Sequence, residues 1–476
     1  MPKKSVAKKA QKKLKEMSQK LVSKKEQKAL KKKAKDHLWM HAKSWEDMSK
    51  PDGIQIFTEA DGTQITDIEG NSYFDIMAGL WLVNSGHGRQ EIMDAVYEQM
   101  KQLSYVSGWS FATLPAIELA TKLAEITPGS LNKIFFVNSG SDATDAATRM
   151  AKQYQFLAGF EKRYKIIGRR NSYHGSFSGA HSLTGSGFFA RKYFEPMMPG
   201  IRHVPHPYCY RCQYELEYPS CDMLCAKAVE QEILFEDPET VAAVIGETIA
   251  GAPGVIPPPP EYWPMVRAIC DKYGVLLIMD EVICGFGRTG KMFACEHFDV
   301  VPDIMAVAKG LSSGYLPIAA TIAKEEVHDK FKGGWPETFQ HGTTWGAHPV
   351  CCAAALANVN IIEREDLPKK AAKMGKYLMN ALKQLESHPT VGDVRGKGLL
   401  AAIELVKDKK TKEGFGPDDK FNDVLNQNFA DLGLLTRVRN YIAICPPLIV
   451  TKKEIDELVQ TLDKAFTKTE KKLRIK

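Results

Sequence analysis

Two apolar runs, each followed by a charged residue, constrain the fold of this chain more than any other feature. Residues 275–279 (VLLIM) are followed by Asp280 and Glu281, and residues 304–308 (IMAVA) are followed by Lys309. Continuous apolar runs of this length are typical of strands buried on both faces of a sheet. Because open α/β sheets bind ligands at the carboxyl ends of their strands, the pattern predicts an α/β fold with an acid and a lysine at the binding edge.

This pairing of a lysine with an aspartate indicates a particular cofactor chemistry. A lysine among apolar residues is desolvated, which lowers its pKa and leaves its amine able to attack an aldehyde carbon. Pyridoxal 5'-phosphate (PLP) offers such an aldehyde, and its pyridine nitrogen pairs with an aspartate. We therefore predict that Lys309 and Asp280 are catalytic and bind this cofactor. The alternative is a structural ion pair.

The segments that contain these residues resemble a known family. MDEVICGFGRTG and PDIMAVAKGLSSGYLPIAA are similar to the signature of class III aminotransferases, specifically the amine and ω-amino acid:pyruvate subgroup, the ω-transaminases. The resemblance extends from about Trp39 to Pro446. It implies the α/β fold of fold-type I PLP-dependent transferases, with a mostly parallel seven-stranded sheet in an αβα sandwich and a split small α+β domain.

The chain divides into four predicted segments. Residues 1–36 form a lysine-rich helical tail with fifteen Lys and three acidic residues, a net charge of +12. The whole chain has a net charge of +7, which leaves −5 for the residues after the tail. Residues 37–85 alternate short polar and apolar runs with turns, and form the N-terminal part of the small domain. Residues 86–349 form the large PLP-binding domain, and residues 350–476 form the C-terminal small domain.

The basic tail limits the expected partners and location. It could contact an anionic surface or nucleic acid, but a helix this charged has little apolar face to bury, so a solvated arm is favoured. It lacks the apolar segment of a secretory signal, and no run in the chain is long enough to span a membrane. A cytoplasmic location without membrane or nucleic-acid partners is expected.

The resemblance also places residues around the cofactor. Gly140 and Ser141 follow a strand-like run and begin a helix, where backbone N–H groups and the helix dipole favour a phosphate. Tyr173 would stack on one face of the pyridine ring, and Val282 would pack on the other.

Three polar residues are assigned supporting or shared roles. His174 is expected to be a hydrogen-bonded support, with a catalytic role as the alternative, and Glu247 to lie beside the cofactor at a strand end. Thr344 matches a family residue that reaches the cofactor phosphate of the other subunit, so it implies a homodimer, or a tetramer, with a shared active site. The alternative for Thr344 is a polar surface loop.

Substrate recognition is assigned to an apolar wall and an arginine. Trp81 is expected to line the substrate pocket, although a Trp flanked by leucines is more often part of a core. The resemblance implies that Arg437 binds the carboxylate of pyruvate or an amino acid. The spacing to the following prolines is one residue short, so Arg439 competes for this role.

Four of the ten cysteines form a separate motif. Cys209, Cys212, Cys221 and Cys225 have C-x-x-C and C-x-x-x-C spacing, which tetrahedral zinc tolerates. The loop lacks the glycines of a compact zinc knuckle, so reduced thiols and no metal site are expected.

Together these residues predict an aminotransferase. The predicted reaction moves an amino group from an ω-amino acid or primary amine, such as taurine, β-alanine or a diamine, to pyruvate, giving alanine and an aldehyde or ketone. One alternative is a PLP-dependent racemase or aminomutase on the same scaffold. Another is a non-catalytic protein that binds nucleic acid through its tail.

Overall fold

The computed structural model describes residues 22–50, 53–186 and 190–475. Residues 1–21 of the predicted tail lie outside this range, whereas Lys24–His37 is a helix. Ser23 caps it: the Ser23 hydroxyl accepts a hydrogen bond from the Glu26 backbone, and the Glu26 carboxylate accepts one from the Ser23 N–H at 2.9 Å. No residue of this helix is buried, so the described part of the tail adds no side chain to the core.

The described residues contain helices and strands throughout the chain. The strands are β1 Phe57–Asp61, β2 Gln64–Asp67, β3 Ser72–Asp75, β4 Leu131–Val137, β5 Lys165–Arg169, β6 Ile201–Val204, β7 Val241–Glu247, β8 Leu276–Asp280, β9 Ile304–Val307, β10 Ala319–Lys324, β11 Val391–Lys397, β12 Leu400–Leu405, β13 Leu434–Leu435 and β14 Tyr441–Ile444. The other α-helices are Trp45–Ser49, Ala78–Trp81, Gln90–Gln102, Leu114–Ile126, Gly140–Leu157, Ser178–Leu183, Leu224–Phe235, Tyr262–Tyr273, Glu325–His328, Pro349–Arg364, Leu367–Leu382, Phe421–Asp431 and Lys452–Leu473. Single 3₁₀ turns include Pro238–Thr240, Ala294–His297, Lys309–Leu311 and Lys383–Ser387.

The central sheet has seven strands in the order β4-β10-β9-β8-β7-β5-β6. Strand β10 is antiparallel to both of its neighbours, and the remaining pairs are parallel. Every residue of β7, β8 and β9 is buried, which explains why these strands are continuous apolar runs in the sequence. The predicted mostly parallel seven-stranded sheet is confirmed.

Helices cover both faces of this sheet. Alternate residues of β8 point to opposite faces: Leu277 and Met279 belong to one core cluster, and Ile278 belongs to another. The first cluster also holds residues of the helices Leu114–Ile126, Leu224–Phe235 and Tyr262–Tyr273, and the second holds residues of the helix Gly140–Leu157. This is the predicted αβα sandwich.

Two smaller sheets connect the ends of the chain. One has the order β1-β2-β3-β13, an antiparallel meander to which β13 adds in parallel, with Leu434 opposite Phe74. The other has the order β11-β12-β14. Pairing between β3 and β13 agrees with a small domain split between the two ends of the chain, while the boundaries at 36, 85 and 349 stay predictions. Among the described residues, no helix is both long and apolar enough to cross a membrane.

Candidate active site

The carboxyl ends of the central strands bring charged residues to one edge of the sheet. Glu247 ends β7 and is paired in register with Asp280, which ends β8, and Lys309 lies two residues beyond β9. A cavity of about 400 Å³ lies at this edge. Its lining includes most of the residues predicted from the sequence: Trp81, Gly140, Ser141, Tyr173, His174, Glu247, Asp280, Val282, Lys309 and Arg437, together with Arg439.

Thr344 is the predicted site residue that does not line this cavity. It is exposed, and its carbonyl oxygen accepts a hydrogen bond from the Tyr105 hydroxyl at 2.7 Å. The single chain therefore does not bring Thr344 to its own site, and its assignment to the site of a second subunit stays a prediction.

Both carboxylate oxygens of Asp280 have hydrogen-bond partners. Oδ2 lies 2.8 Å from Nδ1 of His174, and Oδ1 accepts from the backbone N–H of Val282 at 3.0 Å. His174 is itself held by its backbone, because its N–H donates to Thr184 Oγ1 at 3.0 Å and its carbonyl accepts from Thr144 Oγ1 at 2.8 Å. Asp280 is only 4% exposed. Its carboxylate is thus fixed in orientation at the floor of the cavity.

Lys309 has the electrostatic environment that a reactive amine requires. Burial lowers its pKa, and the charges of Asp280 and Glu247 oppose that effect only in part. Its backbone φ of 46° lies in the left-handed region, where a residue other than glycine is strained. Nζ lies 5.6 Å from the centroid of the Trp81 ring. A lowered pKa increases the fraction of neutral amine at a given pH, and the neutral amine is the nucleophile.

Glu247 is buried beside Asp280 with a perturbed acidity. Burial raises its pKa to about 7, and the negative charge of Asp280 adds to the increase. Its carboxylate accepts from the backbone N–H of Tyr173 at 3.1 Å and of Gly251 at 3.2 Å. Glu247 therefore ties the segment that carries the Tyr173 ring to the end of β7.

Glu281, the carboxylate that follows Asp280, does not face the cavity. Its oxygens accept hydrogen bonds from Thr248 Oγ1 at 2.6 Å and from the backbone N–H groups of Ala294 and Cys295 at 3.0 and 2.8 Å. The resembled family has proline at the position of Thr248, and a proline has no hydroxyl to donate to Glu281 as Thr248 does. Sequence reasoning missed this contact because its partners are 33 residues apart.

The start of the helix Gly140–Leu157 forms a cradle of small residues. Ser139 caps this helix, since its hydroxyl accepts from the Asp142 N–H at 3.2 Å. A Cβ added to Gly140 would lie 2.9 Å from Val282 Cγ1, and one added to Gly175 would lie 2.3 Å from Ser141 Oγ. The Ser176 N–H donates to Ser141 Oγ at 3.2 Å. The cradle is thus closed by backbone and small side chains at the positive end of a helix, which suits a phosphate.

Several lining residues had no signal in the sequence. They are His41, Met77, Leu80, Ile249, Ile283, Cys284, Ala443 and Tyr441. The Tyr441 hydroxyl donates to the Ala252 carbonyl, and burial raises its pKa to about 12. These residues come from segments far apart in sequence, so only the folded chain brings them to one wall.

The four cysteines also lie together. Cys209, Cys212, Cys221 and Cys225 are unpaired thiols that line a separate cavity of about 20 Å³. In the part of the chain that the structure describes, no group of three or more His, Cys, Asp or Glu side chains is arranged to hold a metal ion.

The sheet edge, the anion cradle and the buried lysine–aspartate pair define the site of a pyridoxal-phosphate-dependent enzyme. The chain belongs to the class III aminotransferases: the profile of that family matches residues 48–466. Its relatives include a probable aminotransferase of Mycobacterium tuberculosis, 41% identical over 92% of this chain and 94% of that one. They also include a putrescine–pyruvate aminotransferase of Pseudomonas aeruginosa, 40% identical over 88% and 91% of the two chains. A taurine–pyruvate aminotransferase of Bilophila wadsworthia is 39% identical over 92% and 97%.

Solved structures give the same result for the fold. An (S)-enantioselective ω-transaminase from Thermomicrobium roseum superposes with a TM-score of 0.88 at 38% identity, covering 93% of this chain and 98% of that one. An amine transaminase from an uncultivated Pseudomonas species, in its PLP-bound form, superposes with a TM-score of 0.87 at 35% identity, covering 91% and 99%. The predicted PLP-dependent transferase fold and aminotransferase class are confirmed.

Proposed function

We propose that this protein transfers an amino group from an ω-amino acid or a primary amine to pyruvate, giving alanine and an aldehyde or ketone. The observation that carries the proposal is the placement of Lys309 and Asp280 on neighbouring strand ends, facing one cavity. The relatives named for putrescine–pyruvate and taurine–pyruvate transfer support transamination rather than racemisation or amino-group migration.

The residues of the cavity fit PLP. Gly140 and Ser141 would hold its phosphate in the cradle at the helix start, where a larger side chain at residue 140 would collide with Val282. Tyr173 and Val282 would enclose the ring, and the Asp280 carboxylate would pair with the pyridine nitrogen. The Nε2 atom of His174 is buried without a hydrogen-bond partner, so among the described residues the imidazole ring of His174 is hydrogen-bonded only to Asp280.

The chemistry then divides between the cofactor and the protein. When bound, PLP supplies an aldehyde for covalent attachment and an electron-withdrawing ring. Lys309 would supply the amine that holds the cofactor and would accept and return a proton at Nζ; its lowered pKa suits both roles. The Asp280 carboxylate would keep the ring nitrogen protonated. Trp81, only 8% exposed, shields the amine from water.

We further infer a homodimer that shares its active sites, or a tetramer built from such dimers, in the cytoplasm. The exposed position of Thr344, outside the cavity of its own chain, supports a role in the site of a second subunit.

A single-turnover experiment tests the proposed function. The PLP-loaded protein is mixed with taurine, β-alanine or putrescine without pyruvate, and the carbonyl product is measured. Transamination releases about one equivalent of aldehyde per active site, and later addition of pyruvate yields alanine and restores activity. Isomerisation of the donor with no free carbonyl product would indicate a racemase or aminomutase instead.

A further inference from the structure

We propose that the helix Lys24–His37 and the segment that follows it form a groove that binds the phosphate backbone of a single-stranded nucleic acid. The inference goes beyond the proposed function and does not rest on it. No described residue lines both this groove and the active-site cavity.

The groove is a concave surface of strongly positive charge. Its volume is about 510 Å³, and its walls come from the helix and from residues 48–54. The lysines that line it are Lys25, Lys28, Lys31, Lys32, Lys35 and Lys50. Among the described residues, no acidic side chain lines it. We call this surface the basic groove, and its charge selects a polyanion as the partner.

The helix is fixed to the body of the protein. The Gln27 side-chain amide donates to the Ile68 carbonyl at 3.3 Å, and Lys31 Nζ lies 2.7 Å from the Glu69 carboxylate. Ile68 and Glu69 belong to the turn between β2 and β3. Charge alone favours a solvated arm, whereas this docking gathers the lysines into one surface.

Four of the lysines form a row along the helix. Lys25, Lys28, Lys32 and Lys35 follow one another at intervals of three, four and three residues, which is the spacing of neighbours on one face of an α-helix. At a rise of about 1.5 Å per residue, the row is about 15 Å long. It therefore spans several consecutive phosphates of one strand, and each ammonium group can contact a phosphate as a point charge.

The protein neutralises only part of the charge in the basic groove. Three of the six lysines form ion pairs with acidic side chains: Lys31, Lys32 and Lys50. The pairs of Lys32 and Lys50 are exposed, and exposed ion pairs are weak, so phosphate oxygens can replace their carboxylates. Within the part of the chain that the structure describes, Lys25 and Lys28 are exposed and have no ion-pair partner. An excess of positive charge thus remains for a ligand.

The shape of the groove favours a single strand over a membrane. A helix that binds a membrane surface inserts a face of large apolar side chains, but Leu30 is the single large apolar side chain of the helix Lys24–His37. A lipid surface is also too broad to enter the groove, and a duplex carries its phosphates on a wide convex surface. A single strand is narrow, and the buried side chains of Met48 and Ile54 offer apolar contacts to its sugars and bases.

Fluorescence anisotropy with a labelled uridine oligomer tests the inference. The oligomer has about 15 nucleotides, which is near the upper end of the site sizes of single-strand-binding domains. The PLP-loaded full chain is titrated at several salt concentrations without an amino donor. We expect binding whose affinity falls as the salt concentration rises.

A double variant with a matched control locates the binding site. Lys25→Gln/Lys28→Gln should weaken binding by roughly threefold to thirtyfold. The slope of log K against log salt should become less steep by about 1.4, because each phosphate contact of a single strand contributes about 0.7. Lys24→Gln/Lys33→Gln is the control, since both lysines are exposed on the same helix but do not line the groove.

The control variant loses the same net charge and should bind the oligomer as the wild type does, within about twofold. Both variants keep residues 1–21, whose eight Lys attract any polyanion equally in the two proteins. Turnover should equal that of the wild type in both variants, because neither pair of lysines lines the active-site cavity.

The inference is overturned if the wild type does not bind the oligomer at low salt, or if the two double variants lose the same affinity. Equal losses would mean that the charge of the tail, and not the groove, attracts the strand. Tighter binding of a duplex of the same length would exclude a single strand as the partner. Binding to vesicles of phosphatidylcholine and phosphatidylserine that depends on Lys25 and Lys28, without such dependence for the oligomer, would assign the groove to a membrane. A loss of turnover together with binding would show that the effect is not local.

Discussion

Replacing Asp280 by asparagine removes one charge from the floor of the site and changes little else. The side chain keeps its size, but the amide has one acceptor oxygen where the carboxylate has two. Oδ1 accepts a hydrogen bond from the Val282 N–H at 3.0 Å, and Oδ2 lies 2.8 Å from His174 Nδ1. In the Oδ1 position the NH₂ group of asparagine faces the Val282 N–H, which is also a donor. In the Oδ2 position it faces His174 Nδ1, which is a donor unless His174 changes tautomer.

The expected size of the effect follows from these contacts. Hydrogen bonds to a charged group contribute about 1.5 to 3 kcal/mol, which corresponds to roughly tenfold to a hundredfold in an equilibrium constant. We expect Asp280→Asn to bind PLP more weakly by about this factor. Turnover should fall further, because a neutral amide no longer holds the pyridine nitrogen of PLP in its protonated form.

The assay combines PLP titration, turnover at saturating PLP and thermal unfolding of the apoprotein. Asp67→Asn is the matched control: Asp67 is also 4% exposed and accepts hydrogen bonds from the Asn71 N–H and the Tyr73 hydroxyl, but it does not line the cavity. The control should lose stability and keep its affinity for PLP. Wild-type turnover in Asp280→Asn would refute the reasoning and make Asp280 a structural residue.

Three further predictions concern the lysine, the cradle and the C-terminal helix. Lys309→Ala should abolish turnover and the visible absorbance of lysine-bound PLP while keeping part of the phosphate affinity; residual turnover near the wild-type rate would contradict the assignment. Gly175→Ala should weaken PLP binding, since its Cβ would lie 2.3 Å from Ser141 Oγ. Gly159→Ala is the control, because Gly159 also has a positive φ but no atom lies within 4 Å of the added Cβ. This variant should lose stability and keep its affinity for PLP. An equal loss of affinity in both variants would argue against the cradle. His388 is hydrogen-bonded to Glu470 and Asp463 of the helix Lys452–Leu473, and these contacts raise its pKa. The stabilisation by protonated His388 is present below the pKa of the unfolded state, about 6.5, and is lost as the pH rises through the higher pKa of the folded state. The difference in Tm between the wild type and His388→Gln should therefore shrink between about pH 6 and 8. A difference in Tm that does not change with pH would refute this.

The placement of Asp280 and Lys309 at one edge of the sheet could be predicted from the sequence because its signal is local. A strand buried on both faces must be apolar over its whole length, so a charged residue directly after it stands out. Asp280 and Lys309 each follow such a run, and parallel strands place their carboxyl ends at one edge. The cradle at Gly140 and Ser141 was predicted for a similar reason, since a strand, a turn and a helix follow one another within a short segment.

Other parts of the site depend on contacts between distant segments. Asp280 and Glu281 both follow the apolar run 275–279 in the sequence, but the fold directs Glu281 to Thr248 and to two backbone N–H groups, away from the cavity. His41 and Tyr441 are 400 residues apart and line the same wall. No local pattern specifies such pairs, because they form only when separate elements pack.

The sequence by itself therefore determined the α/β fold and the lysine–aspartate pair, since hydrophobic periodicity and strand-end charge act over a few residues, whereas the mostly parallel sheet was implied by the resemblance of its motifs to class III aminotransferases. The tertiary structure decided which charged side chains face the cavity and which form hydrogen bonds inside the protein, away from it. It also placed both Arg437 and Arg439 in the lining of the cavity, whereas spacing along the chain had made them alternatives for one role. Their shared position is set by the pairing of β13 with β3 and of β14 with β12, which holds the intervening loop over the cavity.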